Sequence, residues 1–89
     1  MKPTDAGLAA LGLRVGESVR WRRAGTGRWQ LGVVTRRERD GSVGVTDGRG
    51  LARSLRVEWL EVGRTGPRGA RSWEPLLERA ARSEQLRLI

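Results

Sequence analysis

A mainly β domain of five short strands closed into a small barrel, with one short C-terminal α-helix, is expected from three features of this chain. Apolar residues alternate with polar ones at period two through Val19–Trp21, Trp29–Val34 and Val43–Val45. Asp40-Gly41 and Asp47-Gly48 punctuate those stretches. Glycine accepts the positive φ of a type I′ hairpin turn, so each pair marks a chain reversal. The clearest helical spacing, Leu76-Leu77 with Ala80-Ala81, stands near the C-terminus.

Residues 1–13 are expected to form an arm or a short helix. Thr4 or Asp5 can cap one or two turns, with Leu8 and Leu11 on one side. Val15 to Ser18 turns into the first strand, where Val19 and Trp21 face inward and Arg20 and Arg22 outward. Ala24 to Gly27 is a glycine-rich loop, without the G-x-x-x-x-G-K-[ST] pattern that cradles phosphate. The second strand is the longest, from Arg28 to about Arg39. Its alternation sets Trp29, Leu31 and Val33 on the core side and Gln30, Gly32 and Val34 on the other. Its polar outer half, Thr35 to Arg39, projects as a ribbon toward Asp40-Gly41.

The third strand covers Ser42 to Thr46, and the fourth roughly Leu51 to Arg56, with Leu51 and Leu55 toward the core. Val57 to Leu60 fits a single 3₁₀ turn. Glu61-Val62 makes a short fifth strand beside the first and completes a barrel over residues 14–62. Residues 63–71 contain Gly63, Gly66, Pro67 and Gly69 and read as a linker. Residues 72–89 hold the C-terminal helix and an apolar tail. Ser72 is the expected N-cap, Glu74 suits the positive end of the helix dipole, and Pro75 is tolerated that early. This helix is expected to end near Ser83.

The chain of 89 residues has no cysteine and no histidine. That removes disulfides, thiolate and imidazole metal ligands, and the usual general base near neutral pH. Its acids read as structural: Glu38 lies between arginines, Asp40 and Asp47 precede glycines, and Glu58 sits in a turn. No enzymatic activity, cofactor or metal is expected. No apolar run reaches transmembrane length, and the N-terminus lacks a signal-peptide core, so a cytoplasmic, non-membrane protein is expected.

The formal net charge is +8, and Lys2 is the single lysine. Arginine forks onto phosphate oxygens and stacks on planar groups, so the expected partner is nucleic acid, DNA ahead of RNA. The candidate contacts are Arg20 and Arg22 on the first strand, Arg28, Arg36, Arg37 and Arg39 along the second, Arg53 and Arg56 on the fourth, and Arg64, Arg68 and Arg71 on the linker. No recognition helix carries base-reading residues, so non-specific binding through backbone charge is the expected mode. The alternative is a protein–protein adaptor whose barrel or tail binds a peptide or partner subunit.

Five short strands with a 3₁₀ turn before the last resemble SH3-like small barrels, in their Tudor and KOW branches. The residues that carry the resemblance are Val15-Gly16-Glu17-Ser18-Val19, Gly27 through Val34, Asp40-Gly41, Val45-Thr46-Asp47 and Leu55 through Leu60. Tudor methyl readers use an aromatic cage. Trp21, Trp29 and Trp59 all occupy positions expected to face inward here, as core filling. The tail Gln85-Leu86-Arg87-Leu88-Ile89 resembles the bacterial sliding-clamp binding motif Q-L-x-L-F at Gln85, Leu86 and Leu88, with Ile89 in place of Phe. The resemblance implies a DNA-binding accessory in replication or repair that is tethered to the clamp.

Overall fold

The computed structural model describes residues 5–23 and 26–87, and the side chains among them as far as residue 85. Its elements in chain order are α1 (Ala6–Ala9), β1 (Ser18–Trp21), β2 (Gln30–Arg37), β3 (Val43–Asp47), β4 (Ala52–Leu55), a 3₁₀ turn (Val57–Trp59), β5 (Glu61–Thr65), β6 (Arg71–Pro75) and α2 (Leu76–Arg87). The strands form one antiparallel sheet in the order β4-β3-β2-β1-β5-β6. The class is the expected one, mainly β with a C-terminal helix, but the described residues form six strands and not five.

The sixth strand comes from the stretch that reads as a linker. Residues 61–75 form a hairpin, with Val62 opposite Glu74 and Gly63 opposite Trp73. Its turn is Pro67-Arg68-Gly69-Ala70, closed by the Ala70 N–H donating to the Pro67 carbonyl at 3.3 Å. Both central residues have positive φ, 61° at Arg68 and 74° at Gly69, as tight hairpin turns require. Proline and glycine therefore mark a chain reversal here, and pairing with β5 draws Ser72 and Glu74 into a strand. Ser72 is not a helix cap. The helix starts at Leu76, whose N–H donates to the Leu60 carbonyl at 2.9 Å.

One face of the sheet carries the core. Val19 and Trp21 of β1, Val34 of β2, Val43 and Val45 of β3, Leu55 of β4 and Val62 of β5 are buried on it. Leu8, Leu11 and Leu13 of the N-terminal segment, Leu60, and Leu76 of α2 close over them. Asp5 caps α1 as expected, accepting the Leu8 N–H at 3.0 Å. Thr4 and the loop residues Ala24 and Gly25 lie outside the described residues.

The expected facing of β2 is inverted. Leu31 is 58% exposed and Val33 41%, whereas Val34 is buried and Gly32 faces the core. The cause is Trp21. A Cβ at position 32 would fall 2.9 Å from the Trp21 ring and 2.6 Å from the Thr46 carbonyl oxygen, so only glycine fits beneath that indole. Val19 pairs with Gly32, and that register sends Leu31 and Val33 to the other face. Leu51 and Trp59 are also exposed rather than inward, at 55% and 44%.

The turns also differ in detail from the expected two-residue form. At Asp40-Gly41 the Glu38 N–H donates to the Ser42 carbonyl at 2.9 Å across a three-residue loop, with Gly41 at φ 94°. In the next turn the positive φ belongs to Gly50, at 81°. Both match the three-residue hairpin that ends on a left-handed residue.

Arg68 stands in the left-handed region without glycine's freedom, which costs of order 1 kcal/mol. Arg68→Gly is expected to raise stability by no more than about 0.5 kcal/mol after glycine's own entropic cost. Chemical denaturation measures this, and a loss of stability would show that the arginine side chain supports the turn.

Candidate nucleic-acid interface

The sheet face opposite the core carries the features of a binding surface. Arg20 and Arg22, two residues apart at the end of β1, both lie over the Trp29 ring, at 3.9 and 4.4 Å from its centroid. Arg20 also lies 4.9 Å from the Trp73 centroid and so bridges the two indoles. Glu61, its register partner across β1 and β5, accepts from Arg20 Nε at 2.9 Å and Nη2 at 2.6 Å. Trp29 is therefore a stacking residue on the outer face and not core filling. The aromatic sandwich is occupied by the protein's own guanidinium, which is not how a methyl-reading cage is filled.

Beside this stack lies an open groove of about 710 Å³. Leu31, Val33 and Thr46 form its floor, and Trp73 with the β5–β6 hairpin its wall. Arg71 stands along that wall, while Arg64 lines it from the strand and turns its guanidinium to Glu74. Beyond Leu31, Asp47 and Gly48, which it shares, a second cleft of about 460 Å³ is lined by Arg28, Trp29, Arg49 and Arg53. The apolar floor thus has arginines along two borders.

Two carboxylates line the groove, and each is already matched. Glu17 pairs with Arg79 of α2. Asp47 accepts from Arg53 Nε at 2.9 Å and from the Arg49 and Leu51 N–H groups at 2.9 and 3.0 Å. The Arg53 hydrogen bond first, then the Leu51 and Arg49 amides, hold its carboxyl below the ordinary aspartate value.

The expected arginines divide into separate groups. Arg20, Arg22, Arg28 and Arg71 surround the outer face, whereas Arg53 and Arg64 alternate with the buried Leu55 and Val62 and reach its clefts only from the sheet edges, their guanidinium groups turned to Asp47 and Glu74. Arg36 and Arg39 lie at the other end of β2, in a hollow with Glu38, Asp40 and Ser54, where Arg36 pairs with Glu38 at 2.9 Å. Arg37 is a structural residue. A bulge between Val34 and Arg36 turns it toward α1, where its N–H donates to Asp5 at 2.9 Å and its guanidinium to the Gly7 and Gly41 carbonyls at 3.0 and 2.8 Å. Arg56 precedes the 3₁₀ turn, and Arg68 occupies the hairpin tip, both exposed.

Of the tail, Gln85 is exposed within α2, which extends past the expected end at Ser83 and includes Leu86; Leu88 and Ile89 lie outside the described residues. Sequence reasoning missed Arg49, Leu31, Val33 and Trp73 as parts of the outer face. A usable signal was present for Trp29, which follows Arg28 and faces the Arg20-x-Arg22 alternation across a hairpin.

Among the described residues there is no cluster of His, Cys, Asp and Glu able to hold a metal ion, and no helix long and apolar enough to cross a membrane. No protein-family model, curated protein or solved structure matches this chain.

Asp47 gives this region a definite acid response. A carboxyl lowered in the folded state contributes stability in full above its unfolded value of 3.8, and that contribution disappears as pH falls through the lower folded value. The side-chain carboxyl of Asp47, followed by carbon-13 NMR, is expected to titrate below that value. A midpoint at or above it would mean that Arg53 does not hold the carboxylate in solution.

Proposed function

We propose that this protein is a small, non-enzymatic nucleic-acid-binding module on an SH3-like scaffold of the Tudor and KOW kind, acting on DNA ahead of RNA as an accessory in replication or repair. The observation that supports this most is the outer groove, an apolar floor bordered by Arg71 on one side and by Arg28 and Arg49 on the other. Guanidinium groups neutralise backbone phosphates and release their counterions, which gives affinity without sequence preference. Arg22, Arg28, Arg49 and Arg71 carry this role best, because none has an acidic partner within 4.0 Å among the described residues. Arg36, Arg39, Arg56 and Arg68 are peripheral contacts.

The test is the salt dependence of binding to labelled DNA oligonucleotides. Replacing Arg28 and Arg49 together with alanine is expected to weaken binding to every sequence. The logarithmic salt slope should fall by about 2, roughly one for each phosphate no longer neutralised. An unchanged slope would remove these two arginines from the interface, and no binding at low salt would remove the nucleic-acid reading. The exposed Leu31 and Val33 beside the half-buried Trp73 favour one rival, an adaptor that takes an apolar peptide in the same groove. Its affinity would vary little with salt.

The clamp-tether part of the proposal rests on Gln85, Leu86 and Leu88. It requires the end of α2 to unwind, since the motif docks as an extended peptide and helix ends open at least cost. A labelled peptide of residues 82–89 is expected to bind purified sliding clamp saturably at micromolar concentration, and to stop binding when Gln85 and Leu88 become alanine. Binding that is absent, or unaffected by those changes, removes the tether.

A further inference from the structure

We infer that the outer groove accepts an unpaired nucleobase, so that the ligand of this face is a single strand and not a duplex. The inference rests on the nucleic-acid reading above and names its substrate class. A duplex offers phosphates and groove edges, and arginines on a polar surface are enough to hold it. This groove has an apolar floor instead, with Leu31 58% and Val33 41% exposed. An exposed apolar floor is of use to a ligand that presents the face of a base.

The Trp73 ring forms the groove wall and stands opposite Gly63 in the β5–β6 register. A Cβ at Gly63 would meet nothing within 4 Å, so the missing side chain leaves open space beside the indole. Trp29 carries two guanidinium groups and Trp73 one, and Trp73 is the indole that lines the groove. Arg20, fixed by Glu61, holds the Trp73 ring from its own side of the sheet.

Charge complementarity agrees with a strand laid across this floor. Arg71 stands on one border and Arg28 with Arg49 beyond the other, spaced along a path from hairpin wall to cleft. A backbone on that path meets cations on either side of the base it leaves in the groove. The carboxylates that line the groove, Glu17 and Asp47, have their own arginine partners and so oppose it little.

The experiment uses the whole protein, a short labelled oligothymidine and a mixed-sequence duplex of the same length. Single-strand affinity is expected to exceed duplex affinity roughly tenfold, with quenching of tryptophan fluorescence. Trp73→Ala removes the platform. Gly63→Leu fills the open space from a position whose backbone any residue adopts, and so tests the groove without removing a packed side chain. Each change is expected to lower single-strand affinity roughly tenfold, leaving duplex affinity and the salt slope unchanged. Equal or tighter duplex binding, or variants that weaken both ligands alike or neither, would overturn the single-strand assignment while the nucleic-acid reading stood. Absence of binding to both ligands would overturn that reading and the inference with it.

Discussion

The contact between the Trp21 indole and the bare backbone of Gly32 decides which face of the sheet is which. Any side chain at position 32 would collide with the ring and with the Thr46 carbonyl. A buried indole contributes more apolar area than any other side chain in this core, so the register that accommodates it prevails over the alternatives. Once β2 is set in that register, Val34 joins Val45 in the core and Leu31 and Val33 are sent outward. The outer groove is thus a consequence of how the inner face packs. Its floor exists because Leu31 and Val33 gave up the inner face to Gly32 and Val34.

A second constraint fixes the C-terminal third of the chain. Glu74 of β6 is only 4% exposed and lies among three arginines. Arg64 approaches within 3.5 Å and Arg79 within 3.7 Å, while Arg82 donates to it from the next turn of α2. Arg79 also pairs with Glu17 and donates to the Gly63 carbonyl at 2.6 Å. One guanidinium therefore joins α2 to the entry of β1, to β5 and to β6. A buried carboxylate costs several kcal/mol to desolvate, and leaving one without any cation costs about 3–5 kcal/mol. Its effect is directional: the helix docks in the one orientation that brings Arg79 and Arg82 to Glu74.

The basic excess looks different once these obligations are counted. Arg20, Arg36, Arg53, Arg64, Arg79 and Arg82 each hold an acidic partner, and Arg37 is engaged with backbone carbonyls and with Asp5. The arginines without acidic partners among the described residues include Arg22, Arg28, Arg49 and Arg71, and these lie around the outer face. Fold and charge surface thus use the same residue type for two purposes. Arg53 and Arg64 are themselves half-exposed, but Asp47 and Glu74 offset their charge, so the arginines unpaired among the described residues carry most of the positive potential.

Much was legible from residue types alone. The alternation of Val19 with Trp21 and of Val43 with Val45, the Asp5 cap, the glycine turns, the 3₁₀ turn at Val57–Trp59 and the arginine-dominated charge are local properties, written within a few neighbouring positions. Tertiary structure alone decided three other matters. Trp29, Leu31 and Val33 form as good an inward stripe as Gly32 and Val34 form a poor one, until Trp21 from another strand claims the space above Gly32. Gly66-Pro67-Arg68-Gly69 has linker composition, until β6 finds β5 and turns it into a hairpin tip. No arginine announces whether it will meet Glu74, a carbonyl or solvent. Turn and strand tendencies arise from the backbone of adjacent residues, whereas facing, pairing and charge partners are set by residues distant in the chain. The sequence therefore determined where this chain bends and extends, and its fold determined which side faces a ligand.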